Sequence, residues 1–185
     1  KTNIYFQSTR PIVQRMGFTL GKRTNLSEFE AIYGFQGDTN LAHVQAPLVQ
    51  AGDILHPQLE EYGGLRPIVV PVGVDQDPHL RLCRGLAGKT NWFNVNDRKK
   101  GGLRITVSVM DENQSIVAGD KATTKAVFAR IVDSLKGLGY GDIMADANHG
   151  IVDLPAATSK DGYPIRMALL ALERSMGGPG LLQPS

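Results

Sequence analysis

The residues best suited to chemistry lie in Val70-Pro71-Val72-Gly73-Val74-Asp75-Gln76-Asp77-Pro78-His79. An apolar run ends in a glycine, passes through acid, amide and acid, and enters a helix opened by Asp77 and Pro78. In an open α/β sheet, ligands bind in the crevice at the carboxyl ends of strands. Gly73 lets a ligand approach the backbone closely. Asp75 suits hydrogen bonds from ribose hydroxyls, and Gln76 offers both a donor and an acceptor. The structural alternative makes Asp77 a plain N-cap and Asp75 a turn residue. A second pair, Gln50 and Asp53, is three residues apart and so shares a helix face. Both stand among Leu48, Val49, Ile54 and Leu55, with small Ala51 and Gly52 between them. Two polar groups in such a stretch are either core residues with partners or pocket residues.

Other combinations imitate chemistry. Gly85-Leu86-Ala87-Gly88-Lys89-Thr90 ends like a phosphate-binding loop, but the glycine required five positions before Gly88 is Cys83. A helix that stops at Gly88 explains it better. His43, His56, His79 and His149 form no pair at metal-ligand spacing, so no metal site is expected. Cys83, the only cysteine, reads as a small packing residue and excludes both an internal disulfide and a four-cysteine zinc site. Arg98-Lys99-Lys100 with Arg104 is either a solvated basic loop or a contact for phosphates.

These residues need elements to hold them. Ser27 and Glu30 suggest a capping box, with Leu26, Phe29 and Tyr33 on a short helix ending near Gly34. Residues 47–55 predict a helix with Pro47 in its first turn. The unbroken apolar run 67–72 predicts a strand buried on both faces, and 77–87 a further helix with Asp77 as N-cap. Helix, buried strand and helix imply an α/β layer with a parallel sheet. From 92 onward the texture changes. Residues 103–109 alternate as a half-exposed strand. Residues 122–138 place Val127, Phe128, Ile131, Leu135 and Leu138 on one helical face. Asn148-His149-Gly150 predicts a turn between two short strands, 143–145 and 151–154, and Pro164 starts a last helix. Strand, helix, two strands and helix fit a small ferredoxin-like α+β module.

The chain has 185 residues, 42% hydrophobic and 21% charged, with a formal net charge of +2. That is ordinary for a globular chain, and the weak basic excess does not itself argue for nucleic acid. No apolar run reaches the ~20 residues of a membrane span. The first residue is Lys1, and the tail 177–185 reads as a connector, so the chain is expected to be a portion of something longer.

The Gln50-Ala51-Gly52-Asp53 helix and residues 70–84 resemble the class I tryptophanyl-tRNA synthetases of the archaeal and eukaryotic type. Tyr33-Gly34-Phe35-Gln36-Gly37 is similar to the segment that precedes the same helix in that family. The asp-gln-asp-pro quartet is the specific part. The resemblance is strong over 1–88 and weak over 92–178, where some archaeal members carry a variable insertion. It implies a partial Rossmann-type catalytic domain over 1–90, an inserted domain over 91–178 and a connector over 179–185. It implies that Gln50 and Gln76, with Asp53, line the tryptophan site, and that Gly73 and Asp75 face ATP or the adenylate. It implies ATP with Mg2+ as the substrate complex, tRNA as a partner touched by Arg98, Lys99, Lys100 and Arg104, and a homodimeric parent; the single cysteine makes a cytoplasmic location the expectation. The family's HIGH and KMSKS motifs do not occur here, so the chain alone is expected to be inactive. A tyrosine-specific relative, or a non-catalytic module binding amino acid, adenylate or tRNA, are the alternatives.

Overall fold

The computed structural model describes residues 4–108 and 121–185. The chain divides into two compact units: Lys1–Thr90 with Leu181–Ser185, and Asn91–Gly180.

Unit 1 is helical. α1 (Pro11–Gly21) has no counterpart in the sequence reading, although Pro11 sits at its first turn and Val13, Met16, Gly17 and Leu20 make its buried stripe. α2 (Leu26–Tyr33) is capped by Asn25, whose side chain accepts the Glu28 N–H, and not by Ser27. It ends at Gly34 in the left-handed region, φ 69°. α3 (Leu41–Leu55) begins six residues earlier than expected. Asn40 caps it by accepting the His43 N–H, and Pro47 lies inside the helix on its buried side. α4 (Asp77–Thr90) follows a 3-10 turn, Val74–Gln76. Asp77 is therefore helical, not an N-cap, and its carboxylate pairs with Arg81 at 2.6 Å. α1 and α3 cross at Gly17 and Gly52. A Cβ at Gly52 would drive into the Val13 carbonyl oxygen, and one at Gly17 would lie 2.9 Å from the Leu48 oxygen. Leu20, Phe29, Ala51, Leu55, Leu82, Cys83, Leu86 and Leu181 close the core.

The buried strand expected over 67–72 is not formed. The segment is extended, but Val69 is 75% exposed and Val72 46%. Its backbone bonds are made to the last residue: Val70 N–H donates to Ser185 O (3.1 Å) and Ser185 N–H to Ile68 O (2.9 Å). These two bonds follow the parallel pattern around Val69. Among the described residues no parallel sheet is present, because no neighbouring strand flanks this segment. Leu181–Ser185, expected as a connector, is fastened to unit 1. The buried Gln58 amide donates to Leu182 O (2.7 Å) and accepts its N–H (2.8 Å).

Unit 2 holds a four-stranded antiparallel sheet of order β1-β2-β4-β3. β1 (Phe93–Asp97) pairs with β2 (Leu103–Val107) through a tight hairpin, and Val109 lies outside the described residues. α5 (Lys121–Gly137) follows, then β3 (Met144–Asp146), β4 (Ile151–Leu154) and α6 (Gly162–Ser175). Phe93, Val95, Leu103, Ile105, Val152 and Leu154 share one face of the sheet by register. They form the core with Val127, Phe128, Ile131 and Leu135 of α5 and Ile165 and Leu169 of α6. Leu138 falls beyond α5 and is exposed. The opposite face carries Asn94, Asn96, Arg104, Thr106, Met144 and Asp153.

Candidate functional site

The acid–amide–acid segment of unit 1 forms a compact knot ahead of α4. Gly73 O accepts the Gln76 N–H at 3.0 Å, which closes the 3-10 turn. The Gln76 amide donates to Asp75 Oδ2 at 2.8 Å, and Asp75 Oδ1 curls back over Gly73, 2.5 Å from where a Cβ would stand. Gly73, Asp75 and Gln76 are thus brought together, with the Gln76 carbonyl oxygen left as an acceptor. Between them Val74 is 92% exposed. One turn into α4, His79 Nδ1 meets the Tyr33 hydroxyl at 2.9 Å. Burial pushes the Tyr33 phenol up to about 12, so it stays protonated beside the imidazole.

Gln50 and Asp53 occupy one side of α3, as their spacing predicts. Gln50 is half-buried, and its side chain makes no hydrogen bond among the described residues. Asp53 sits in a ring of partners that sequence reasoning did not find. Its Oδ1 accepts from the Tyr5 hydroxyl, and its Oδ2 meets the Gln7 amide at a loose 3.4 Å. Its backbone carbonyl takes Nδ1 of His56 at 2.7 Å, and Nε2 of His56 faces the Arg10 guanidinium at 3.0 Å. Burial, then the hydrogen bond to Asp53, pushes the Tyr5 phenol up to about 12. The only signal for this ring was one tyrosine, one histidine and one arginine, with Tyr5 and His56 far apart in sequence. No hydrogen bond joins Gln50 and Asp53 to the 73–76 turn among the described residues. Both belong to elements that α4 supports: its Cys83 Sγ lies 3.9 Å from Ala51 O of α3. Burial also raises the Cys83 thiol to about 12, which suits a packing residue and not a nucleophile.

A groove of about 650 Å³ lies between α2 and α4, lined by Ile32, Val74, Leu82, Gly85 and Leu86. The ion pair Lys89–Glu28 stands on its rim. Lys89 therefore belongs to a helix and a salt bridge, and the segment 85–90 is no phosphate loop.

In unit 2 the basic run separates into two kinds. Arg104 makes a two-pronged contact with Asp153, 2.8 Å on each oxygen, and Arg98 reaches the same carboxylate at 3.4 Å. The Arg104 hydrogen bonds come first among the influences that hold the Asp153 carboxyl below its ordinary range. Lys99 and Lys100 stand exposed on the hairpin. Glu173 of α6, also unforeseen, is fully buried. It accepts the N–H groups of Phe93 (3.3 Å) and Gly180 (3.0 Å), where unit 2 begins and ends. Among the described residues no three His, Cys, Asp or Glu side chains cluster as a metal site.

Known proteins cover much of this chain. The family profile described as tRNA synthetases class I (W and Y) matches residues 1–115. Tryptophan–tRNA ligase of Methanosarcina acetivorans is 59% identical over 96 residues, 52% of this chain and 22% of that protein. That of Thermoplasma volcanium is 49% identical over 119 residues, 64% of this chain and 27% of the relative. That of Thermoplasma acidophilum is 54% identical over 114 residues, covering 62% and 26%. The crystal structure of tryptophanyl-tRNA synthetase from Aeropyrum pernix K1 aligns with 95% of this chain and 56% of its own, at 27% identity and a TM-score of 0.44. The chain spans about a quarter of the length of the curated relatives it matches. Since the family profile takes in more than half of its residues, the chain belongs to the class I tRNA synthetases of the tryptophan and tyrosine group, in the stretch shared with archaeal tryptophan–tRNA ligases.

Proposed function

We propose that this chain is part of a tryptophan–tRNA ligase, which activates tryptophan with ATP and transfers it to tRNA. The observation that carries the reading is the Gly73–Asp75–Gln76 knot at the head of α4, the helix whose Cys83 packs against the α3 helix that bears Gln50 and Asp53. Tryptophan presents an ammonium with donors only and an indole N–H, so its site needs acceptors in an apolar setting. Gln50 and Gln76 supply amide oxygens without a buried charge, and Asp53 supplies a carboxylate. Asp75, with Gly73 bare beside it, takes the ribose of ATP or the adenylate. Mg2+ enters with ATP as part of the substrate.

Unit 1 is proposed as part of a Rossmann-type layer. In support, Ile4, Phe6, Val69 and Val72 stand exposed on extended segments, as strand residues awaiting a covering layer do. Unit 2 is proposed as a ferredoxin-like inserted domain. Its ββαββα order with strands 1-2-4-3 equals the βαββαβ arrangement cut at a different loop. Lys99 and Lys100 are its free-standing contacts for tRNA phosphates, with Arg98 and Arg104 behind them on Asp153. The parent is a homodimer located in the cytoplasm, and the 185-residue chain alone does not activate tryptophan.

The test is kinetic, in the full-length ligase. Gln50→Ala and Gln76→Ala each raise the KM for tryptophan about ten- to a hundredfold and leave that for ATP near wild type. Asp75→Ala does the reverse. Both Michaelis constants within about twofold of wild type for Gln76→Ala and Asp75→Ala would refute the placement.

A further inference from the structure

We infer that Tyr5, Arg10 and His56 are positioning residues that set the Asp53 carboxylate for the amino-acid substrate. This rests on the reading of Asp53 as a residue of the tryptophan site. Four contacts form a closed circuit. Tyr5 donates to Asp53 Oδ1. The Asp53 carbonyl accepts from His56 Nδ1 at 2.7 Å. His56 Nε2 meets Arg10 Nη1 at 3.0 Å. The Arg10 guanidinium lies 3.6 Å from the centre of the Tyr5 ring, which returns the circuit to its start. A carbonyl cannot donate, so Nδ1 carries the hydrogen. A guanidinium cannot accept, so Nε2 presents its lone pair. His56, 1% exposed, is therefore held as the neutral Nδ1–H tautomer, with both nitrogens used. Tyr5 and Tyr62 pack edge-on against its ring, at centroid distances of 5.4 and 5.1 Å.

The consequence falls on Asp53. Oδ1 is committed to Tyr5. Among the described residues Oδ2 meets only the exposed Gln7 amide, at 3.4 Å, a distance at which little is lost when a better donor arrives. The circuit thus leaves one carboxylate oxygen available, in a fixed rotamer, for an N–H donor of the amino acid. Holding a reacting or binding group in one geometry before the ligand arrives is the source of the benefit.

Two experiments test this. In the 185-residue chain labelled with 15N-histidine, His56 shows the Nδ1–H tautomer, and Arg10→Met shifts its Nε2 resonance while the amide spectrum stays folded. An Nε2–H tautomer in the wild-type chain overturns the proposal. In the full-length ligase, Tyr5→Phe keeps the ring and its stacking on Arg10 but deletes the hydroxyl. It raises the KM for tryptophan about five- to tenfold, with kcat and the KM for ATP within about twofold. In an Asp53→Asn background the same change adds little, which a purely structural tyrosine would not do. If Asp53→Asn raises the KM for tryptophan and Tyr5→Phe does not, the positioning role fails and the site stands. If Asp53→Asn itself leaves that KM unchanged, the placement of the tryptophan site fails, and this proposal with it.

Discussion

Replacing Glu173 by glutamine removes a titration that works against unit 2 at neutral pH. Burial is the largest influence on the carboxyl and raises its pKa from 4.5 to about 6, against the pull of the amides of Gly180, Trp92 and Phe93 and the Arg174 charge. In the unfolded chain the group returns to its ordinary value. Between those two values the folded state holds the proton more tightly than the unfolded one, so stability falls as pH rises through the window. The contribution is complete below about pH 4.5 and gone above about pH 7, and the pKa difference converts to about 2 kcal/mol. Glutamine keeps one acceptor oxygen for the three amide donors and puts an NH2 where the second oxygen stood, a deficit of ~1–3 kcal/mol relative to the protonated acid, whose hydroxyl oxygen still accepts. The variant is therefore less stable than wild type at low pH. The gap narrows by about 2 kcal/mol as pH rises past the window. Urea unfolding followed by fluorescence of Trp92, the single tryptophan, reads this directly. A wild-type-minus-variant difference that stays constant from pH 4.5 to 7.5 would refute the argument.

Asp153 titrates with the opposite sign. Its pKa is lowered by Arg104 and Arg98, so its contribution is present above the ordinary carboxylate range and disappears as acid protonates it. Asp153→Asn should lower the melting temperature of unit 2 at pH 7 and have little effect near pH 2, as followed by circular dichroism. Gly52→Ala forces a methyl group into the Val13 carbonyl, a backbone atom that cannot turn aside, and should destabilise unit 1 by ~3 kcal/mol or more in urea titrations. The 185-residue chain should give no tryptophan-dependent ATP–pyrophosphate exchange above background, and robust exchange would remove the proposal that it is inactive alone.

Local pattern was enough wherever an element buries one regular face. The alternation from Leu103 and the heptad-like stripe of α5 read directly as strand and helix, and the turn at Asn148-His149-Gly150 sits between β3 and β4. The strand β1 has the same alternation, but only Phe93 and Val95 carry it, and two apolar residues are too short a pattern to distinguish a strand from a loop. Residues 67–72 have the composition of a central strand, but a strand is defined by its neighbours, which composition does not contain. α3 was misjudged at Pro47, since proline usually marks a first turn and Asn40 had already capped the helix. At 73–76 the cluster of polar residues and the turn alternative for Asp75 are visible in sequence, but the 3-10 turn and the Gln76–Asp75 bond are not. The circuit around Asp53 joins residues 46 and 48 positions apart, and the Arg104–Asp153 pair spans 49. Partnerships at that distance are decided by packing. Glu173 was hidden differently, as a charged residue on the buried side of an otherwise readable helix.

The way unit 2 is closed makes it a cassette. Trp92 and Phe93 at its entrance and Gly178 and Gly180 at its exit all converge on Glu173, with Gly178 so tight against the indole that a Cβ would stand 2.9 Å from it. A unit whose two ends are tied side by side asks of the flanking chain only what a short loop would ask, however many residues lie between. Natural recombination or gene surgery at the Thr90–Asn91 and Gly180–Leu181 junctions can therefore lengthen, shorten or exchange the sequence of unit 2 while keeping its entry and exit side by side.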